Sequence, residues 1–237
     1  MLDNPIWNAL ITEHAALSLG GQHARRYIPE IGPLSGIAGQ ALECYDTLRE
    51  LAANGAVVLF SVEPFRLPSG WKCVREGPLV QMVRTAESFT EAGAPNLKLS
   101  PSTFDPREGI TQRQLTAADA PAMVALAELT EPGPFRIRTV ELGNFFGIFH
   151  GNSLVAMAGK RMHLPGMVEV SGVCTHPEAR GRGYAAHLMS TVIDEIESEG
   201  KTAFLHALAE NPAIRIYQHL GFRLRQNFHF AVILPDN

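Results

Sequence analysis

The chain has 237 residues, of which 46% are hydrophobic and 19% charged: enough apolar material for a packed core and too little charge for a disordered chain. Twenty Lys and Arg stand against 24 Asp and Glu, a net charge of −4, so no basic excess exists to hold a phosphate backbone and nucleic acid is not an expected partner. The length allows one large domain or two of about 100 to 130 residues.

The N-terminal stretch MLDNPIWNALITEHAALS carries Asp3 and His14 but no Lys or Arg, which is not the pattern of a signal peptide. No apolar run approaches the roughly 18 residues of a membrane span. Cys44, Cys73 and Cys174 are far apart and form no CxxC pair, so neither a disulfide framework nor a zinc site is expected. A reduced, soluble, cytoplasmic protein is expected. Residues 20–39 hold five glycines and two prolines and read mostly as loop. Residues 40–53 repeat apolar side chains at Leu42, Tyr45, Leu48 and Ala52, a helical period that Gly55 would stop. AVVLFSV (56–62) and PLVQMVRT (78–85) read as strands. Trp7, Arg25, Arg26, Tyr27 and Trp71 stand out chemically but read as core and surface residues. Residues 93–109 carry three prolines and two glycines, a connection that places a domain boundary near residue 108.

Beyond it the pattern sharpens. ITQRQL (110–115) suits a strand, and Thr116 with Asp119 resembles a capping box ahead of a helix with Met123, Leu126, Ala127 and Thr130 on one stripe. Strands are expected at 145–150 and 153–162, around the turn Gly151-Asn152, then at 167–175. A helix over 183–200, a strand at 202–208, a short helix over 211–220 and a last strand at 228–235 complete the order β-α-β-β-β-α-β-α-β. That is an α/β or α+β domain with a mixed sheet.

The segment VSGVCTHPEARGRGYAAHLM (170–189) carries the most chemistry. Pro177 should end the strand. Gly181 and Gly183 lack a Cβ, so the backbone can turn tightly and an anion can reach its N–H groups. The helix that follows has a clean buried stripe, Tyr184, Ala185, Leu188, Met189, Val192, Ile193 and Ile196, and its N-terminal N–H groups have no partner within the helix. Such an end suits a phosphate, with Arg180 and Arg182 adding charge. The residues alone leave a plain glycine-rich helix start open. A dinucleotide fingerprint fits only loosely, because HPEAR separates strand from glycine.

Residues 173–185 resemble motif A of the GNAT acyltransferases, Q/R-x-x-G-x-G/A, with Arg180, Gly183 and Ala185 in its fixed places. Downstream, NPAIRIYQHLGF (211–222) resembles that family's second signature, and the wording and layout look closest to the FR47-like branch. The resemblance covers about 110–237. It implies a GNAT domain over 109–237 and an α/β domain over 1–108 in the form of a decayed GNAT-like half. It also implies two splayed parallel strands, with acetyl-CoA held at Val173, Cys174, Thr175, Arg180, Gly181, Arg182, Gly183, Tyr184, Ala185 and Asn211.

The implied reaction is direct transfer of acetyl to an amine in a ternary complex. Tyr217 is the acid candidate, although the stripe Ala213, Ile216, Tyr217 and Leu220 also explains it as core. Glu169 is the base candidate, because a carboxylate in an apolar strand is costly unless used or solvated. Strand alternation puts it on one face with Ser171, Val173 and Thr175. His206 could relay a proton; His176 reads as a loop residue, and Cys174 as packing rather than nucleophile. The acceptor is expected to be a small-molecule or peptide amine held by residues 1–110 and the 131–144 loop, in a monomer or homodimer. Other acyl-CoA donors, an amino acid acceptor such as glycine, and a non-catalytic CoA-binding regulator are the alternatives.

Overall fold

The computed structural model describes residues 1–52, 55–84 and 109–236. The first of these stretches forms α1 (Pro5–Ile11), β1 (Ser18–Gly20), β2 (Ala24–Tyr27), β3 (Ser35–Ile37) and α2 (Leu42–Leu51), and the second forms β4 (Val57–Ser61) and β5 (Trp71–Arg84). The third forms β6 (Ile110–Leu115), α3 (Ala120–Thr130), β7 (Phe145–His150), β8 (Ser153–Leu164), β9 (Met167–Thr175), α4 (Tyr184–Ser198), β10 (Thr202–Leu208), α5 (Ile214–His219) and β11 (Phe222–Pro235). Among the described residues, eight strands make one sheet in the order β4-β11-β5-β10-β9-β8-β7-β6, in which only β9 and β10 run parallel. The expected mixed sheet is therefore present. The boundary expected near residue 108 lies outside the described residues; strands on either side of it join the same sheet, β5 lying between β10 and β11.

Alternation along the strands builds two cores. Ala203 and Leu205 of β10 and Val168 and Val170 of β9 face α4, whose Leu188, Met189, Val192, Ile193 and Ile196 are buried against them. On the other face Phe204 packs with Ile6, Ala9 and Leu10 of α1, while Met157 and Cys174 pack with Met123 and Leu126 of α3.

Three expectations change. The stretch 20–39 is mostly loop, as expected, but it also carries short strands that were not: β2 and β3 pair with each other, and β1 with β2, in a small antiparallel sheet. Its strands are too short to show a period and form because α1 and α2 cover them. Strands β5 and β11 begin well before the apolar runs at 78 and 228, since Trp71–Arg84 pairs with β11 from Trp71↔Pro235 to Arg84↔Phe222. Their early residues include Lys72, Arg75, Arg223 and Arg225, so the ladder rather than an apolar period holds them. The helix expected from Asn211 begins at Ile214; Asn211 Oδ1 instead accepts the Ala213 N–H at 2.8 Å in a turn ahead of it. Trp71 is core, edge-on to Tyr45 with the Arg49 guanidinium 5.3 Å from its ring.

Candidate active site

Strands β9 and β10 part company along their length. Parallel pairing runs only from Thr202↔Met167 to Phe204↔Glu169. Past that point residues 170–175 pair only with β8, and Leu205–Leu208 only with β5. The splay implied by the resemblance thus falls between these two strands. One edge of β9 is left with backbone groups that no strand among the described residues satisfies.

Glycine 172 marks the turning point. Its φ is +61°, and the β8–β9 register slips between Met157 and Gly159 opposite it. Such a bulge swaps the faces of everything beyond it. Glu169 and Val173 were expected on one face. Instead Glu169 points to Arg161, whereas Val173 packs with the α4 core.

On one side of the parted strands lies a groove of about 660 Å³ that runs past the start of α4. Gly181 and Gly183 have φ of +76° and +77°, and open space where a Cβ would stand. Arg180 and Arg182 are exposed beside them, Arg180 Nε donating to the Thr175 carbonyl at 3.3 Å. Ala185 lines the same groove. Tyr184 contributes the backbone of the first helical turn, while its side chain is buried with its hydroxyl 2.9 Å from His150 Nε2. Cys174 is core, and burial pushes its thiol up to about 11, which disfavours the thiolate. Thr175 Oγ1 is buried with no hydrogen-bond partner among the described residues, an orphan that a ligand in the groove would satisfy.

The groove meets a second cavity of about 240 Å³, which reaches under β4, β5 and β11. Five residues line both: Glu131, Pro132, Val173, Asn211 and Tyr217. Tyr217 is 7% exposed, its hydroxyl has no partner among the described residues, and burial pushes it up to about 12. It therefore keeps its proton throughout the neutral range.

Glu169 stands elsewhere. It lines neither cavity and is fully buried. Arg161 Nε and Nη2 donate to its two oxygens at 2.6 and 2.8 Å, and His206 Nδ1 lies 2.8 Å from Oε1. Burial alone would raise this carboxyl, but the Arg161 guanidinium and these hydrogen bonds hold it well below the usual carboxylate range. This arrangement does not support the base role expected of Glu169: three donors already occupy its carboxylate, and neither cavity reaches it. His206 does line the second cavity, with its ring among Phe60, Phe204 and Phe228. His176 is a loop residue that accepts the Glu178 N–H at 3.3 Å.

Arg161, Gln81 and Glu131 were not singled out from the sequence. Arg161 had a usable signal, because a cation inside the apolar strand SLVAMAGKRM raises the same cost as Glu169. Glu131 had only its place in a loop without a motif. Gln81 had none.

Comparison with known proteins agrees with this geometry. The family described as FR47-like protein matches residues 145–231. A solved structure from Novosphingobium aromaticivorans, assigned as an acetyltransferase from the GNAT family, is 36% identical with a TM-score of 0.81 and covers 100% of this chain and 99% of its own. A GCN5-related N-acetyltransferase from Kribbella flavida shares the fold at 15% identity, with a TM-score of 0.62 over 98% of this chain and 96% of its own. Among curated proteins, the mycothiol acetyltransferase of Brachybacterium faecium is 38% identical over 58 residues, which span 24% of this chain and only 18% of that relative's length.

Proposed function

Because the chain belongs to the GNAT family and is an acyltransferase of that family, we propose that it moves an acetyl group from acetyl-CoA directly to an amine, both bound at once. The observation that carries this reading is the junction of groove and cavity at the point where β9 and β10 part. The groove fits the donor. Gly181, Gly183 and the first turn of α4 offer bare N–H groups for a pyrophosphate, with Arg180 and Arg182 beside them. The free edge of β9 at Val173, Cys174 and Thr175, the Thr175 hydroxyl and Asn211 would hold the pantetheine arm. Acetyl-CoA bound there would supply the activated acetyl thioester.

This chain's residues then handle protons and position. Tyr217 lines both spaces, and its hydroxyl would hand a proton to the leaving sulfur. An alkyl amine with a pKa near 10.4 is neutral in only about one molecule in 10³ at pH 7, so the acceptor arrives as an ammonium. Glu131, a carboxylate lining both spaces, would bind that ammonium and take one of its protons, so that the neutral amine attacks the thioester carbon; as the C–S bond breaks, the sulfur takes the Tyr217 proton and the Tyr217 oxygen takes the second proton shed by the nitrogen. Val173 and Pro132 close the junction around it.

The test is calorimetric titration with acetyl-CoA and CoA, with NAD as comparator. Both CoA species should bind and NAD should not. No heat from either CoA species would overturn the reading.

A further inference from the structure

Side chains of five neighbouring strands form a hydrogen-bonded row across the sheet. Arg225 on β11 joins Asp3 through Nη2 at 2.8 Å and Gln81 Oε1 on β5 through Nη1 at 2.8 Å. Gln81 Nε2 lies 3.0 Å from His206 Nε2 on β10, and His206 Nδ1 2.8 Å from Glu169 on β9, which accepts from Arg161 on β8. The directions are determined. Arg225 can only donate, so Gln81 turns its oxygen to it and its amide nitrogen to the Leu2 carbonyl (2.9 Å) and His206. His206 must then offer a lone pair at Nε2 and an N–H at Nδ1. From Arg225 Nη1 through Gln81 and His206, and from Arg161 on the other side, the donors of the row run toward Glu169.

A row of this kind is a costly way to hold a sheet together. A bidentate ion pair in a core loses about as much in desolvation as it gains in attraction, and an apolar pair of like volume is often as stable. Its cavity end suggests what it is for. Arg161 lines the second cavity, and its Nη1 has no partner among the described residues and is not among the sealed, unpartnered polar atoms. Arg75, 5.7 Å from the ring centroid of Phe230, lines the same cavity. Neither arginine lines the groove, whereas Glu131 lines both spaces. Negative charge therefore sits where cavity and groove meet, positive charge on the part of the wall they do not share, and Phe60, Leu79 and Phe230 are among the apolar lining.

We infer that Arg161 recognises a carboxylate on the acceptor, which makes the acceptor an amine that also carries a carboxylate, the chemistry of amino acids. The inference rests on the acetyl-transfer reading above. Glu169 and His206 are positioning residues: Glu169 takes up one edge of the guanidinium and so aims the other, and His206 holds Glu169 in place. With the carboxylate on Arg161, the ammonium would be left to face the shared part of the wall, to which Glu131 belongs.

The experiment compares alanine, leucine, phenylalanine and glutamate with their α-carboxamides as acceptors, with acetyl-CoA as donor. The wild-type protein should use the acids at least about tenfold better in kcat/KM, chiefly through KM. The double variant Arg161→Met/Glu169→Met removes both charges, should bind acetyl-CoA like the wild type, and should lose the preference. Equal use of acids and amides, a preference that survives in the double variant, or acetyl-CoA binding with neither turnover nor binding of any of these acids would each overturn the assignment and leave the acetyl-transfer reading standing. Loss of acetyl-CoA binding by the wild type would overturn both. If the double variant does not fold, the wild-type ratio of acid to amide decides alone.

Discussion

Met167 to Glu169 and Val170 to Thr175 belong to one strand and end in opposite conditions. The first stretch is laddered on both edges, and its one charged side chain is closed into an ion pair. The second is laddered on one edge only, bulges at Gly172, and borders two open spaces. The paired end satisfies its polar groups within the protein. The parted end leaves over a strand edge, the Thr175 hydroxyl and the Tyr217 hydroxyl, and these leftover groups are what a ligand can use.

Breaking the paired end should cost the most. Glu169→Gln leaves the Arg161 guanidinium buried without its counter-charge, and urea unfolding should show a loss of about 3–5 kcal/mol. The folded fraction should bind acetyl-CoA as before. Unchanged stability with a collapsed kcat would instead return Glu169 to the chemistry.

The cover of that end responds to pH. His14 is buried against Tyr27, its Nδ1 2.8 Å from the hydroxyl, with the His163 ring 5.0 Å away. Burial, reinforced by His163, pulls the His14 imidazole down from 6.5 to about 4. Between these values the unfolded chain binds the proton and the folded one does not, so stability is intact above pH 6.5 and declines as pH falls toward 4. The loss is up to about 3 kcal/mol, read as Tm across that window. His14→Gln should flatten that part of the curve; a wild-type Tm that is flat from pH 6.5 to 4.5 would contradict the burial argument.

At the parted end, Gly183→Glu puts a side chain at φ +77° and a negative charge where a pyrophosphate would lie. Acetyl-CoA affinity should fall by at least about 100-fold, near 2.7 kcal/mol, with the fold intact by circular dichroism. Retained micromolar binding would sink the groove assignment. The smallest effect sharpens rather than breaks the contrast. Tyr217→Phe should lower kcat by about tenfold while the acetyl-CoA Kd holds, because only the proton-donating hydroxyl is removed from the junction. In the wild type, with the hydroxyl pushed up to about 12, kcat should show no alkaline fall from this group below about pH 10.

What could be read from the residues is what depends on near neighbours. The stripe of α4, the glycine loop before it, the strand alternation around β7 to β10 and the apolar helix bearing Tyr217 all lie within a few turns of chain, so their periods and turn residues are visible locally. Tertiary structure decided the rest. Gln81 reaches His206 across 125 positions and His206 reaches Glu169 across 37, distances at which a local pattern carries no signal. The Gly172 bulge reversed the expected face of Glu169 because strand register is set by the partner strand, not by the strand's own alternation. The insertion of β5 between β10 and β11, which puts Arg75 and Leu79 in the cavity wall, depends on which edges were left open when the sheet assembled, and no stretch of sequence states that by itself.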